Sequence, residues 1–394
     1  MSEQITVAQH YVPRFYMKNF AVVKKGKKNE KAFISFYQFS GDIYKNNIPT
    51  KSICYKNYFY GEDNVIEKQL MKKEEQWAKT IYGIVDNPER LLSDEQKKNL
   101  KEFAVYQYQR TEAMLKYGKE SRSEMLVTHF MNNYRDLNKN DVKNIVEERV
   151  NKQIQASLYI NICDELIEVI DDLAVSIIRF NTSHKLITSD MPVIVTNPFN
   201  ISKAGMGSVG TVIMYPISSD IMIFIYDSKM YSLSSEYVVS TNEQDVVNIN
   251  KYQVLSADDM VMAINEGVLV ASVMQNDIIL EREKNIEKKV LSSYDGQGTF
   301  FALKSRCINY KFDISLFRLP KEVQKIPIAC RESFDRKYVS DVRFSILFRI
   351  YRLPNLLRED KRFSQADIRN KKEGYKKLLR FLDEYWKYQW KIEQ

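Results

Sequence analysis

Apolar positions give the first outline of the chain. Over residues 62–85, Ile66, Leu70, Trp77, Ile81 and Ile84 recur at helical spacing and predict an amphipathic helix. A second helix is expected from Ser93, because Ser93 and Gln96 have the spacing of a capping box. Helices are then expected to dominate to residue 180. Within that stretch Val142, Val146, Val150, Ile154, Leu158, Ile162, Leu166, Ile170, Ala174 and Ile178 follow a strict four-residue step. Such a stripe advances ~40° per step around a helix of 3.6 residues per turn. It predicts a long central helix with room for one break, whose second half, residues 166–178, lies in the core.

Other stretches read as strands. Residues 33–39 are aromatic and β-branched, and a second short strand is expected at Tyr58-Phe59-Tyr60. Further strands are predicted at 185–188, 192–196, 209–216 and 221–227, with the apolar run 221–226 buried. Thr241 and Gln244 are spaced to cap a helix reaching Ala257, and strand-like runs at 268–273 and 277–280 follow. A final helix is expected near residues 365–390. The expected class is α+β: a largely helical N-terminal half, a mixed or antiparallel sheet in the middle and a helical C-terminal section. The domain reading is a core over 1–290 and a basic, aromatic-rich section over 291–394.

Charge sharpens that division. Residues 301–394 hold 23 Lys and Arg against 12 Asp and Glu, a net of +11, whereas the whole chain is +8 and the remainder therefore −3. A basic section of this kind suits a nucleic acid or an acidic protein partner, and equally a solvated surface. Cys54, Cys163, Cys307 and Cys330 form no C-x-x-C pair, which predicts free thiols in a reducing, cytoplasmic compartment. No apolar run approaches the ~20 residues that cross a bilayer, so no membrane association is expected.

No Walker loop, G-x-S-x-G elbow, H-E-x-x-H or glycine-rich dinucleotide fingerprint occurs. With only His10, His129 and His184, a multi-histidine metal site is nearly excluded, although carboxylates with one histidine could hold a divalent ion such as Mg or Mn. The sharper signal is polar residues on faces expected to be buried. Gln107 and Arg110 share a stripe with Phe103 and Met114, and Asn250 lies between Val246 and Val254. A buried Arg needs an acceptor, and Glu67 on the preceding helix is the expected partner of Arg110. Thr188-Ser189-Asp190-Met191-Pro192 sets hydroxyls and a carboxylate at a strand end. Near the N-terminus, Pro13 keeps Val12 out of the helical region, so His10 and Arg14 flank an extended approach to Phe15. His10 suits acid/base chemistry and Arg14 suits a phosphate or carboxylate; both also suit tethers that tie the terminus to the core.

The segment Gln9-His10-Tyr11-Val12-Pro13-Arg14-Phe15-Tyr16-Met17-Lys18-Asn19-Phe20 resembles the opening box of a large, mainly bacterial domain-of-unknown-function family, which reads QHYVPRFYLKNF. Phe59-Tyr60, Ile66-Glu67, the helix with Gln107 and Arg110, Thr188 to Val193 and Asn250 are similar to its later landmarks, with Met191 where Asn is usual. The resemblance covers about residues 8–260 and implies that Gln9, His10, Arg14, Glu67, Arg110, Asp190 and Asn250 share one site. It brings no established reaction.

Two functions are expected on these grounds. One is an intracellular hydrolase acting on a phosphate-containing substrate, of nuclease type, as the effector of a bacterial defence or toxin system. Its catalytic groups are His10, Glu67 and Asp190, and Gln9, Arg14, Gln107, Arg110, Ser189 and Asn250 bind substrate. The other is a non-enzymatic nucleic-acid-binding or scaffold protein with a buried structural network.

Overall fold

The computed structural model describes residues 6–25, 30–133, 156–199, 205–228, 230–274, 278–285, 290–294, 299–303 and 313–317, and only 140, 143, 144 and 147 within 134–155. By internal contacts the chain divides into Met1–Lys337 and Tyr338–Gln394, and every described residue belongs to the first. The fold is α+β.

The N-terminal box opens with strand β1 (Ala8–His10), and Pro13, extended at φ −62° and ψ 141°, leads into the short helix α1 (Arg14–Lys18). Strands β2 (Val22–Lys25), β3 (Glu30–Gln38) and β4 (Ile43–Pro49) follow as an antiparallel meander. The expected strand at Tyr58 to Tyr60 lies three residues earlier, as β5 (Tyr55–Asn57), paired antiparallel with β1; Tyr58 itself turns through a left-handed φ of 54°.

Helices α2 (Val65–Asp86) and α3 (Asp94–Gln109) match the periodicity, and Ser93 and Gln96 form both bonds of the capping box. The pair is antiparallel, since Glu74, Trp77 and Thr80 meet Arg110, Phe103 and Asn99 in reverse order. Arg110 caps α3 at its C-terminus, and α4 (Glu112–Asn133) begins two residues later, so the predicted stripe to Met114 crosses a helix break.

Over the described residues 156–180 the expected long central helix does not occur. Two short helices, Ala156–Asn161 and Cys163–Val169, are followed by strand β6 (Ala174–Phe180). From 156 to 178 the four-residue stripe therefore crosses three elements, and its part at 142–154 falls almost wholly outside the described residues. β6 is the second strand of a five-stranded sheet in the order β11 (Tyr237–Ser240), β6, β10 (Ile221–Tyr226), β9 (Val212–Pro216), β8 (Ile194–Thr196). It is parallel to β11 and antiparallel to β10. All six residues of β10 are buried, as the apolar run predicts.

A second sheet runs β2, β3, β12 (Met260–Ala263), β7 (Thr188–Ser189), with β4 on the other side of β3. Helix Glu243–Ser256 is capped by Asn242, whose side chain accepts from the Gln244 backbone, and not by Thr241. The runs expected as strands at 268–273 and 277–280 are helical, in Glu266–Val273 and Ile278–Asn285, because Asn265 caps the first by accepting from the Val268 backbone. The core joins this sheet and helix, through Leu186, Ile187, Val246, Ile249, Tyr252, Val261 and Leu269, to Phe180, Met214 and Phe224 of the five-stranded sheet. β13 (Val290–Tyr294) and β14 (Thr299–Leu303) pair as a hairpin. The predicted helix at 365–390 lies outside the described residues.

Candidate functional site

The box is a packing hub. Val12, Tyr16, Met17 and Phe20 are completely buried, and the Tyr16 hydroxyl donates to the Pro216 carbonyl at 2.7 Å while contacting Thr188 Oγ1 at 2.8 Å. One side chain of the box thus reaches both sheets. On α1, Arg14 is exposed.

The candidate site residues fall into three groups. The first pins strand β1. Gln9 is fully buried; its Oε1 accepts from the Tyr60 backbone at 2.6 Å, and its Nε2 donates to the Thr6 and Gly61 carbonyls at 3.2 and 3.0 Å. Gln107 donates to the Tyr11 carbonyl at 2.9 Å, and Arg110 to the His10 carbonyl at 2.9 Å. The expected Arg110–Glu67 pair does not form: Arg110 binds Glu74 instead, at 2.6 Å. Arg110 sits two α2 turns beyond Glu67 because the antiparallel register brings the C-terminus of α3 to Glu74. Burial alone would lower the Arg110 pKa, but Tyr60 and Glu74 outweigh it and hold the cation firmly charged. Glu67 stays within the field of Arg110, yet its burial raises its pKa above the ordinary value.

The second group locks strand β7 to its neighbours. Asp190 accepts three backbone N–H bonds, from Asp258, Asp259 and Met260, at 2.8, 2.7 and 3.0 Å. Burial nonetheless raises its pKa to about 7, against the counter-pull of these bonds. Ser189 Oγ accepts from the Met191 backbone and from Gln253 Nε2, each at 3.1 Å. Asn250 accepts from the Ile187 backbone and donates to the Lys185 carbonyl and Ser272 Oγ. Every polar atom of the Asn250 amide group is thereby bonded.

The third group is open. Arg14 lines a groove of about 610 Å³ together with Phe15, Lys18, Glu30, Lys31, Phe33, Thr50 and Lys51. Arg14 and Lys18 are four apart on α1, Lys31 is on β3, and Lys51 is on the 3-10 turn after β4. Four cations therefore meet one carboxylate, Glu30, which binds Lys18 at 2.8 Å. His10, at the end of β1, neighbours Arg14 and Lys51 but is not part of the groove's lining. Its ring bonds the Lys51 backbone, and burial, then Arg14, lower its pKa to about 4, so the imidazole is neutral near pH 7. Its buried Nε2 has no hydrogen-bond partner.

The structure thus brings Gln9, Gln107 and Arg110 together, Ser189, Asp190 and Asn250 together, and Arg14 to the groove, with His10 next to Arg14 outside the lining. Among the described residues, no group of three His, Cys, Asp or Glu side chains is placed to hold a metal ion. Sequence reading missed Lys18, Lys31, Lys51 and Gln253. Lys18 carried a local signal in its i,i+4 spacing from Arg14, and Lys31 in the lysine-rich stretch 24–31.

These features define an α+β domain whose N-terminal helix is tied to two sheets through Tyr16, whose strand β1 pairs with β5, and which presents a basic groove. Residues 8–266, about two thirds of the chain, match the family described as "Protein of unknown function (DUF4238)", and the chain belongs to that family. No curated protein and no solved structure matches it.

Proposed function

We propose that the protein binds the phosphates of a nucleic acid in the groove formed by Arg14, Lys18, Lys31 and Lys51, and that the buried polar residues are the frame that holds this groove. The convergence of four cations from three separate elements on one open surface carries the reading. Phosphates of a flexible chain suit such a cluster because each neutralised phosphate releases condensed counterions. The net charge of +11 over residues 301–394 suits the same ligand or an acidic protein partner. A cytoplasmic location goes with this reading, since Cys54 and Cys163 are both free thiols. Among the described residues, no helix is long and apolar enough to cross a membrane.

Fluorescence anisotropy of the full chain with labelled RNA or DNA at stepped salt tests it. Arg14→Ala with Lys51→Ala is expected to weaken binding and to flatten the log–log salt slope by roughly 0.7 for each cation removed. Unchanged affinity and slope would sink the proposal.

A second reading, a nuclease-type hydrolase acting in bacterial defence or as a toxin, is favoured by His10. Its neutral imidazole, next to Arg14 and Lys51 of the groove, is in the right state to accept a proton once the buried Nε2 is uncovered, with Arg14 stabilising phosphate charge. In this reading Glu67 and Asp190 act through the frame. Incubation with RNA and DNA, with and without Mg or Mn, decides it: no cleavage, or cleavage that survives His10→Ala, removes the hydrolase.

A further inference from the structure

We infer that the groove takes a single strand in preference to a duplex, with one base laid against Phe33 and the flanking phosphates held by Arg14, Lys31 and Lys51. This rests on the phosphate-binding reading and adds the class of strand. Phe33 lines the same groove as the cations and is only half-buried. The exposed Lys24 places its amine 5.1 Å from the centroid of the Phe33 ring, so a face of that ring is within reach of a group arriving from solvent.

A base is a better occupant of that face than an ammonium that water solvates well. Stacking there would free Lys24 for a phosphate. Phe15 serves as wall, because its ring is held edge-on by Tyr82 and Phe103, at 6.4 and 6.0 Å. The volume of about 610 Å³ lies within the ~300–1,000 Å³ of small-ligand sites and suits one splayed nucleotide. A duplex keeps its base faces stacked on one another and offers the ring nothing.

Binding of three probes of equal length to the full chain tests this: a single strand, the same strand made abasic, and the duplex. The intact single strand is expected to bind about tenfold more tightly than the abasic one, as for one stacked base. Phe33→Leu should bring that ratio close to one, and Phe33→Tyr should retain it. Measuring the same ratio in the Arg14→Ala with Lys51→Ala variant subtracts any binding by the basic C-terminal section. Equal binding of intact and abasic strands, a duplex bound as tightly as the single strand, or a ratio indifferent to Phe33→Leu each overturns the inference and leaves the phosphate reading standing. No binding of any probe overturns both.

Discussion

At the residue scale, the polar side chains that stand out in the sequence divide by partner. Arg110 is 1% exposed and holds the His10 carbonyl and Glu74, so its removal leaves the half-buried Glu74 carboxylate without this donor and the His10 carbonyl with only the Tyr60 hydroxyl. Arg110→Ala is expected to cost about 3 kcal/mol or more in urea denaturation, as for a broken buried pair. Glu67→Ala should cost less than about 1 kcal/mol, since Glu67 is not the bonded partner; a larger loss there would reinstate it. His10 and Asp190 respond to pH in opposite senses. Between pH 4 and 6.5 the unfolded chain protonates His10 and the native state does not, so its contribution to stability is lost as pH falls through that window. Asp190 keeps its proton in the native state between 3.8 and about 7, so its contribution falls as pH rises. In melting experiments His10→Gln should gain on the wild type toward pH 4, and Asp190→Asn should gain toward pH 7; the opposite slope in either variant refutes the assigned shift.

At the element scale, legibility depended on whether one face of an element is solvated. Helices α2 and α3 have such a face, and their periodicity and capping box were readable. β6 was not, because Val175, Ser176, Ile177 and Ile178 are all buried, and a strand covered on both sides loses its alternation. Ala174 and Ile178 then fit a helical step as well as a strand's. The helix Glu266–Val273 was hidden by its β-branched residues, whose preference is overridden by the Asn265 cap and by packing on β12 and β3. The box, Arg110 and Asn250 were legible as sites of constraint, but whether each served a ligand or the frame was not. That depends on which backbone atoms the tertiary fold brings opposite them. The cap of Glu243–Ser256 gives a direct check on such detail. Asn242→Ala should destabilise by about 1 kcal/mol, and Thr241→Ala by clearly less. Equal losses would return the cap to Thr241.

At the scale of the unit Met1–Lys337, stability and candidate function occupy different places. β10 is buried along its whole length and bonded on both sides, by β6 and β9, so its amides should open only when the unit unfolds. β2 is exposed throughout and borders the groove through its pairing with β3, Val22 opposite Phe33 and Lys25 opposite Glu30. Of the groove walls, 30–33 pairs with this exposed edge strand and should open most cheaply, whereas 14–18 and 50–51 are anchored by the buried Tyr16, Met17 and Thr50. Hydrogen exchange over minutes should find β10 unexchanged with or without ligand, and uptake in the three groove segments slowed by a single-stranded oligonucleotide. Arg14→Ala with Lys51→Ala should abolish that slowing. If protection appears only beyond residue 290, the basic C-terminal section is the phosphate-binding surface and the groove is not.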